Sequence, residues 1–471
     1  MSGVFGVINC KCEMVDVAKS AFYGIFSLQH RGQESAGMAV NNNGRFIVHK
    51  SAGLVTEVFD DVTLSALEGS CAIAHARGGD GTIGIEGLQP TSIKSRAGNI
   101  ALSSDAVILN GDEIRQKLKN MGAIFQTNTD AETILSLFSR NRVVTDTTEE
   151  AILRTMKEMK GVYSLLFMSD DKLIGVRDPF GLRPLALGKK DDMYMLSSET
   201  CAFDALDAEF VRNLEPGEVV SISSEGVKSY YYDDSISSKE RISDGKVCVF
   251  EYVYVARPDS EIDGTNVFDS RYRVGMALAK EQPCDVDVVI GAPDSGNAAA
   301  LGYADGLNVP FGMGLLKNRY VGRTFIKSTQ SERELAVRMK FAVLKKAVAG
   351  KRIAIVDDSL VRGTTTKHII RFLKENGAKE VHVRLASPKV QYPCCYGVNA
   401  NVATDLPATS KSLEEIREMI GADSLGYISL DSLKASLDGI NCGCCCACFD
   451  GNYVAGMPCE SVESVHKVSH N

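Results

Sequence analysis

The 471-residue sequence lacks the features of membrane, secreted and low-complexity proteins. No apolar run approaches about 18 residues, the length that a membrane-spanning helix needs. The first residues, MSGVFGVINC, carry no basic segment ahead of an apolar stretch, so we expect no secretory signal and a cytoplasmic location. There is no internal repeat. With 44% hydrophobic and 24% charged residues, the composition is that of a globular protein with buried cores.

The sequence also has no excess of positive charge: its 52 Lys and Arg and 60 Asp and Glu give a formal net charge of −8. This balance argues against a protein that coats nucleic acid, and we expect neither a nucleic acid nor a membrane as partner. At about 150 residues per domain, the length predicts about three domains, or two large ones.

The first 230 residues read as many short strands with a few helices. CAIAHAR (71–77) and GVYSLLFMSD (161–170) are apolar runs bounded by Gly, Asp or Ser, and DEIRQKLKNMG (112–122) has helical periodicity. This alternation predicts an α+β domain. The polar segment 229–246 is the best candidate for a domain boundary.

From about residue 280 the pattern changes to strand, helix, strand. The predicted strands are 287–295, 352–359 and 380–388, with a helix over 365–377. Strands that are apolar throughout and connected by helices form parallel sheets covered on both faces. We therefore predict an α/β domain here.

Five of the 14 cysteines lie between Cys442 and Cys448. Their CxxC spacings fit a zinc site or an iron–sulfur cluster, each of which needs four thiolates. The tail is too crowded for all of its sulfurs to converge, so we expect Cys248 or Cys394 to contribute. A cysteine-rich terminus with a few ligands by chance stays open as the alternative.

The segment IAIVDDSLVRGTTT (353–366) has the pattern of a phosphate and sugar site. A buried strand ends in Asp357 and Asp358, and Arg362 to Thr365 open the next helix. Ligands of open α/β sheets bind beyond the carboxyl ends of strands, and helix N-termini bind phosphate. Adjacent carboxylates hold Mg²⁺ or accept hydrogen bonds from sugar hydroxyls. The alternative is an acidic turn that merely caps the helix.

This segment resembles the phosphoribosyl-pyrophosphate (PRPP) motif of the type I phosphoribosyltransferases. Nearly the whole chain is similar to the glutamine PRPP amidotransferases, or amidophosphoribosyltransferases, which make phosphoribosylamine in the first step of purine synthesis. The other matching segments are LQHRGQES (28–35), DPFGLRP (178–184), SSETCAFD (197–204), EPGE (215–218), RPDS (257–260), GAPDSG (291–296), KNRYVGRTFI (317–326) and NCGCCCACF (441–449).

The resemblance implies three parts. These are an N-terminal nucleophile-type αββα sandwich over 1–235, a type I phosphoribosyltransferase domain with a parallel sheet over 236–425, and a Cys-rich C-terminal segment over 426–471. It also implies a homotetramer or homodimer. Purine nucleotides would be feedback inhibitors.

The resemblance also assigns residues of the transferase site. Asp357 and Asp358 would bind Mg²⁺ and the ribose hydroxyls, with Ser295 near the metal. The remaining substrate-binding positions are Pro293 and Asp294 in the pyrophosphate loop, Ser359, and Arg362, Gly363, Thr364 and Thr365 around the 5′-phosphate. Lys317, Arg319, Tyr320 and Arg323 would lie in or beside a loop that closes over PRPP, Lys317 and Arg319 as substrate-binding and Tyr320 and Arg323 as catalytic positions. A solvated basic turn is the alternative there. In members with a 4Fe–4S cluster, the ligands correspond to Cys248, Cys394, Cys445 and Cys448, and zinc is the alternative occupant.

The glutaminase half departs from the family pattern. An N-terminal Cys is the family's nucleophile, with its own α-amine as base, and Ser2 stands there in this chain. The family's oxyanion segment HNGN is replaced around Ser104 and Asp105, and a carboxylate beside a developing oxyanion repels it. We therefore expect Ser2 to be inactive in glutamine hydrolysis.

Parts of the glutamine pocket persist. Arg77 and Asp130 match the residues that bind the carboxylate and ammonium of glutamine, and Arg31 also remains. They either still hold an amino acid or survive as packing and ion-pair residues. We expect an amidophosphoribosyltransferase that uses free ammonia or ammonia from a partner. The alternatives are another amine acceptor, or a regulatory paralogue that binds PRPP, nucleotide or glutamine without turnover.

Overall fold

Short apolar runs in the first half of the chain form two antiparallel sheets. The computed structural model describes residues 1–11, 16–79, 84–95, 98–318, 320, 338–397 and 406–457. The first sheet contains β1 (Gly3–Asn9), β2 (Ser35–Asn42), β3 (Arg45–Ala52), β4 (Cys71–Arg77), β9 (Ala186–Lys190), β10 (Met193–Ser197) and β11 (Glu209–Asn213). The second contains β5 (Thr91–Ser95), β6 (Gly98–Ile108), β7 (Gly161–Met168), β8 (Leu173–Arg177), β12 (Glu218–Ser223) and β13 (Gly226–Tyr231).

The two sheets stack face to face, with helices on both outer faces. In the first sheet the strand order is β11-β9-β10-β1-β4-β2-β3, and in the second it is β13-β12-β8-β7-β6-β5. The first sheet is covered by α1 (Val17–Ser27), α2 (Val55–Val58), α3 (Asp61–Ser65) and α7 (Cys201–Asp204). The second is covered by α4 (Gly111–Asn120), α5 (Asp130–Arg142) and α6 (Thr148–Glu158). The predicted αββα sandwich is thereby confirmed.

β7 shows why the apolar runs become strands of this sandwich. Every residue of GVYSLLFM is buried. Leu166 and Met168 face the other sheet and pack near Val4 and Ile73, while Leu165 packs with the helix layer. A strand covered on both faces reads as a continuous apolar run rather than an alternating one.

The predicted boundary segment 229–246 holds the end of β13 and the helix α8 (Ser238–Asp244), whose capping box joins Ser237 and Glu240. The chain then enters β14 (Lys246–Cys248), a π-helical turn (Glu251–Val255) and the short pair β15 (Glu261–Ile262) and β16 (Thr265–Asn266). β14 runs parallel to β23 (Gly443–Cys445), so the distant cysteine segments meet here.

The second half forms the predicted parallel sheet, in the order β17-β20-β21-β22. The strands are β17 (Val288–Gly291), β20 (Arg352–Asp357), β21 (Glu380–Leu385) and β22 (Ser424–Tyr427). One face is covered by α9 (Val267–Glu281) and α10 (Asn297–Leu307), the other by α12 (Thr364–Glu375) and α14 (Leu413–Ile420). The remaining elements are β18 (Leu315–Lys317), β19 (Phe341–Val343), α11 (Lys345–Val348), α13 (Pro407–Ser410), α15 (Leu430–Ala435) and α16 (Ala447–Asp450).

No helix in the described part of the chain is both long and apolar enough to cross a membrane.

Candidate functional sites

Two neighbouring parallel strands bring the predicted metal carboxylates together. β17 and β20 pair in register, so the loop with Ser295 and the Asp357–Asp358 pair emerge at the same sheet edge. Asp358 accepts hydrogen bonds from the hydroxyls of Ser295 and Ser359, the latter at 2.6 Å. The Asp358 N–H donates to Asp357 Oδ1 at 2.9 Å. We call Ser295, Asp357, Asp358 and residues 362–365 the strand-end site.

The two carboxyl groups of this site are held in an environment that disfavours their charges. Burial raises the pKa of Asp357 well above its ordinary value, and the adjacent Asp358 reinforces the shift. Burial also raises the pKa of Asp358, against the opposing hydrogen bonds from Ser295 and Ser359. Oxygen ligands in like-charged pairs suit a hard divalent cation such as Mg²⁺.

The start of α12 supplies the phosphate side of the strand-end site. Gly363 precedes the helix with φ of 75°, a left-handed conformation that glycine adopts without a Cβ penalty. Arg362, Thr364 and Thr365 are exposed around this turn. The first-turn N–H groups of a helix have no intrahelical partner, so this end attracts an anion.

The structure describes part of the predicted closing loop, namely Lys317 and Tyr320. Lys317, at the end of β18, lies 2.8 Å from Asp294 Oδ2, so it reaches the predicted pyrophosphate loop. Tyr320 is almost fully exposed, and its N–H donates to Asn318. Arg319 and Arg323 lie outside the described residues.

Cys248, Cys394, Cys445 and Cys448 line one cavity, although Cys248 and Cys394 are distant in sequence from the other two. Arg183 and Tyr396 also line it. Burial raises the pKa of Cys248 and Cys448 well above the ordinary thiol value, and that of Cys445 to about 12. Such an apolar cavity favours thiolates only when bound positive charge compensates them.

A second group of buried charged residues surrounds the start of the chain, and ion pairs fill it. We call it the N-terminal pocket; its members are Ser2, Arg31, Asp105, Arg183, Glu199 and Glu251. The Ser2 N–H donates to Asp105 Oδ1 at 2.9 Å. Asp105 Oδ2 lies 3.5 Å from Arg183 Nε and 3.9 Å from Arg31 Nη2. Burial alone would raise the pKa of Asp105, but the surrounding positive charges offset burial and lower it, so the carboxylate is ionised.

Arg31 is the centre of this network. It is 3% exposed and donates to Glu199 Oε1 at 2.6 Å and to both carboxylate oxygens of Glu251 at 2.8 and 2.9 Å. His30 adds a contact of 2.7 Å to Glu199. Because Glu251 belongs to the π-helical turn, Arg31 joins the sandwich to the segment that leads into the second domain. Its guanidinium is committed to these carboxylates.

The segment that corresponds to the family's oxyanion segment is part of a regular strand. Ser104 to Val107 lie within β6 and pair with β7. The Ser104 N–H donates to Gln89 Oε1 at 2.7 Å, so this donor is already used. His75 Nε2 contacts the Ser104 carbonyl at 3.2 Å, while burial lowers the His75 pKa to about 4. The imidazole is therefore neutral and donates to that carbonyl.

The other predicted remnants of the glutamine pocket each have a partner elsewhere. Arg77 Nη1 lies 3.6 Å from Glu34 Oε2. Asp130 starts α5 and accepts the Ile108 N–H at 3.2 Å, and burial raises its pKa to about 6. These contacts match the ion-pair and packing interpretation of both residues.

Sequence reasoning missed Arg183, Glu199 and Glu251. Glu199 lies in the SSETCAFD segment and Arg183 in DPFGLRP, so both were visible only as parts of longer matching segments. A buried Arg or Glu looks like a surface residue in the sequence, because charge alone does not reveal burial. Their partners lie up to 220 positions away, as with Arg31 and Glu251.

Comparison with known families agrees with this architecture. Residues 83–205 match the glutamine amidotransferase domain model, and residues 274–387 match the phosphoribosyl transferase domain model. The fold and its sites thus define an enzyme that joins an amidotransferase-type sandwich to a phosphoribosyltransferase.

Whole-length relatives narrow this class. The amidophosphoribosyltransferase of Methanocaldococcus jannaschii is 44% identical, with 98% of this chain and 99% of the relative covered, and that of Bacillus subtilis is 42% identical, with 96% and 93% covered. The chain belongs to the amidophosphoribosyltransferase family, enzymes of purine biosynthesis, which confirms the predicted resemblance.

Two solved structures share the whole fold. The B. subtilis PRPP amidotransferase, in complex with ADP and GMP, superposes with a TM-score of 0.87 at 42% identity, covering 96% of this chain and 97% of that chain. A structure of the allosteric regulatory enzyme of purine biosynthesis gives a TM-score of 0.88 at 42% identity, with 96% of both chains covered.

Proposed function

We propose that this chain makes 5-phosphoribosylamine and pyrophosphate from PRPP and free ammonia, and that its N-terminal domain does not hydrolyse glutamine. The observation that carries this proposal is the ionised Asp105 carboxylate, which lies 2.9 Å from the Ser2 backbone nitrogen. Glutamine hydrolysis needs hydrogen-bond donors at the oxyanion, and here an acceptor with negative charge stands in that segment.

Three features oppose catalysis by Ser2. Asp105 repels a developing oxyanion, and the Ser104 N–H is used by Gln89. Loss of one oxyanion donor costs about 2.7–4 kcal/mol of transition-state stabilisation. If Met1 is removed, the new α-ammonium of Ser2 faces Asp105, and an adjacent carboxylate favours the protonated form. That amine is then unavailable as the base for the Ser2 hydroxyl.

The proposed transferase site would supply the parts that the reaction needs. The bond from ribose C1 to the pyrophosphate oxygen breaks, a bond from C1 to the ammonia nitrogen forms, and the resulting ammonium loses a proton. Asp357, Asp358 and Ser295 would hold Mg²⁺, which neutralises charge on the departing pyrophosphate. The two Asp also position the ribose hydroxyls. The other binding positions are Pro293, Asp294, Ser359, Arg362, Gly363, Thr364 and Thr365.

The reacting carbon also needs protection from water. Lys317, Arg319, Tyr320 and Arg323 are proposed to close over PRPP, with the three cations facing pyrophosphate. Closure excludes water from an electron-poor C1 that would otherwise be hydrolysed. The Lys317–Asp294 contact supports a loop that reaches the pyrophosphate side.

We further propose a 4Fe–4S cluster on Cys248, Cys394, Cys445 and Cys448. All four cysteines line one cavity, and four cysteine thiolates are the ligand set of a 4Fe–4S cluster. Zinc on the same four thiolates is the alternative occupant.

The remaining features follow the family resemblance. We propose a homotetramer, feedback inhibition by purine nucleotides, and domains spanning 1–235, 236–425 and 426–471. The complex of the Bacillus relative with ADP and GMP supports nucleotide regulation.

The test is pyrophosphate release from PRPP by anaerobically purified protein, with NH₄⁺ or glutamine as nitrogen donor. We expect Mg²⁺-dependent release with NH₄⁺ and none above background with glutamine. Asp358→Asn is the inactive control, and Asp207→Asn, whose side chain is fully exposed, is the matched active control. Release with glutamine would contradict the proposal. Absence of release with both donors would favour a regulatory protein.

A further inference from the structure

A buried cation connects the N-terminal pocket to the cysteine cavity. Arg183 is 2% exposed and lines that cavity together with Cys248, Cys394 and Cys445. Its Nε lies 3.5 Å from Asp105 Oδ2, and its Nη2 donates to the Tyr396 carbonyl. The counter-ion of a cluster-facing arginine is therefore the carboxylate that occupies the former oxyanion segment.

This charge pair lies where it affects a cluster electrostatically. A cluster held by four thiolates is anionic, and its reduction potential depends on nearby charge, hydrogen bonds and burial. A guanidinium stays charged throughout the accessible pH range. Because the pair is buried, salt screens its field only weakly. Arg183 therefore favours the reduced cluster, and Asp105 cancels part of that effect.

Tyr396 also contacts both the Asp105–Arg183 pair and the segment that contains the proposed ligand Cys394. Its carbonyl accepts from Arg183, and its N–H lies 3.4 Å from Cys394 Sγ, within hydrogen-bonding distance of a proposed ligand sulfur. A hydrogen bond to a ligand sulfur also raises cluster potential. Arg183 thus acts both as a charge and as a support for this turn.

We propose that Asp105 and Arg183 form a positioning pair that sets the reduction potential of the bound cluster. The inference rests on the proposed cluster on the four cysteines. It gives Asp105 a role that replaces oxyanion stabilisation: the carboxylate holds the Arg183 guanidinium at the cavity wall and moderates its field.

The test uses the anaerobically purified full-length protein and the variants Asp105→Asn, Arg183→Gln and Arg183→Lys, with Asp207→Asn as a surface control. Iron and acid-labile sulfide are measured first, and the midpoint potential is then titrated with dithionite and followed by electron paramagnetic resonance. We expect Asp105→Asn to raise the reduced-to-oxidised ratio at fixed potential about tenfold, or about 59 mV for a one-electron couple. Arg183→Gln should lower it, and Arg183→Lys should stay close to the parent.

A second readout is the rate at which the cluster's visible absorbance is lost in air. We expect a slower loss in Asp105→Asn and a faster one in Arg183→Gln. Parent protein without iron and sulfide would overturn both the cluster site and this inference. Cluster-loaded protein whose potential and bleaching rate are the same in Asp105→Asn and the parent would overturn only the inference. If Arg183→Gln does not fold, the isosteric Asp105→Asn still decides it.

Discussion

The strand-end site and the N-terminal pocket are both built around buried carboxylates, but they treat negative charge in opposite ways. Asp357 and Asp358 lie side by side with hydroxyl partners, and burial raises both of their pKa values. Asp105 and Glu199 are surrounded by cations, and their pKa values are lowered despite burial. Uncompensated charge prepares a site for a ligand, whereas compensated charge stabilises a fold.

This contrast predicts a separation of functions. A substitution in the strand-end site should cost activity and little stability, because the protein holds its ligand groups in an unfavourable environment. A substitution in the N-terminal pocket should cost stability and little transferase activity, because its groups are paired with each other.

The largest effect is expected for Asp358→Asn. We predict a loss of ammonia-dependent pyrophosphate release of about a hundredfold to a thousandfold, because a proposed metal and ribose ligand loses its charge. The free energy of unfolding should stay the same or increase, because an amide replaces a carboxylate in a buried site. Activity assays and denaturant titration of the same preparation check both parts. If Asp358→Asn lost stability as well as activity, the contrast between the strand-end site and the N-terminal pocket would be wrong.

Arg31→Met is the counterpart in the N-terminal pocket. Removing one partner from a buried ion pair leaves uncompensated charge and costs about 3–5 kcal/mol. Glu199 and Glu251 would both lose their cation. Denaturant titration measures this cost, and the folded variant should keep most of its ammonia-dependent activity. Wild-type stability in Arg31→Met would mean that the network does not support the fold.

The third prediction concerns His75 and pH. Its folded-state pKa of about 4 lies below the unfolded value of 6.5, so the unfolded chain binds the proton first as the pH falls. Stability should therefore decrease between pH 6.5 and 4, by about 3 kcal/mol at 1.36 kcal/mol per pKa unit. His75→Gln should remove this contribution, which unfolding curves at several pH values will reveal. If the stability of His75→Gln depended on pH in the same way as that of the parent, this prediction would be wrong.

Asp130 should change the stability with pH in the opposite direction to His75, and slightly less, because its pKa shift is smaller. Its folded-state pKa of about 6 lies above the unfolded 3.8, so the folded chain keeps a proton in this window. The resulting stability is lost as the pH rises from 3.8 to 6. Asp130→Asn should thus be more stable than the parent above pH 6, since an amide oxygen still accepts the Ile108 N–H. Unfolding curves at the same pH values measure this gain in stability, and Asp207→Asn serves as a control in which no such gain is expected.

Much of this arrangement could be predicted from the sequence. β20 and α12 lie within two residues of their predicted bounds, because strong apolar patterns and the start signals around Gly363 agree locally. Crowding in the tail predicted that Cys248 or Cys394 lies near it, and the family resemblance added that both do.

The ion pairs of the N-terminal pocket could not be predicted. Arg31, Glu199 and Glu251 form one network only after the sandwich has folded against the π-helical turn that follows it. The same limit applies to Asp105. The family resemblance places it at the position of an amide donor, but its pairing with Arg183 depends on how the DPFGLRP turn packs against β6.

The most direct test of the account is glutamate formation from glutamine by the parent protein in the presence of PRPP and Mg²⁺, beside pyrophosphate release with NH₄⁺ in the same preparation. Ser2→Ala serves as the matched variant. We expect no glutamate above the enzyme-free blank and equal ammonia-dependent release by parent and variant, because a working transferase lies beside a pocket that cannot cleave the amide. Glutamate formed in step with pyrophosphate by the parent and lost in Ser2→Ala would contradict it.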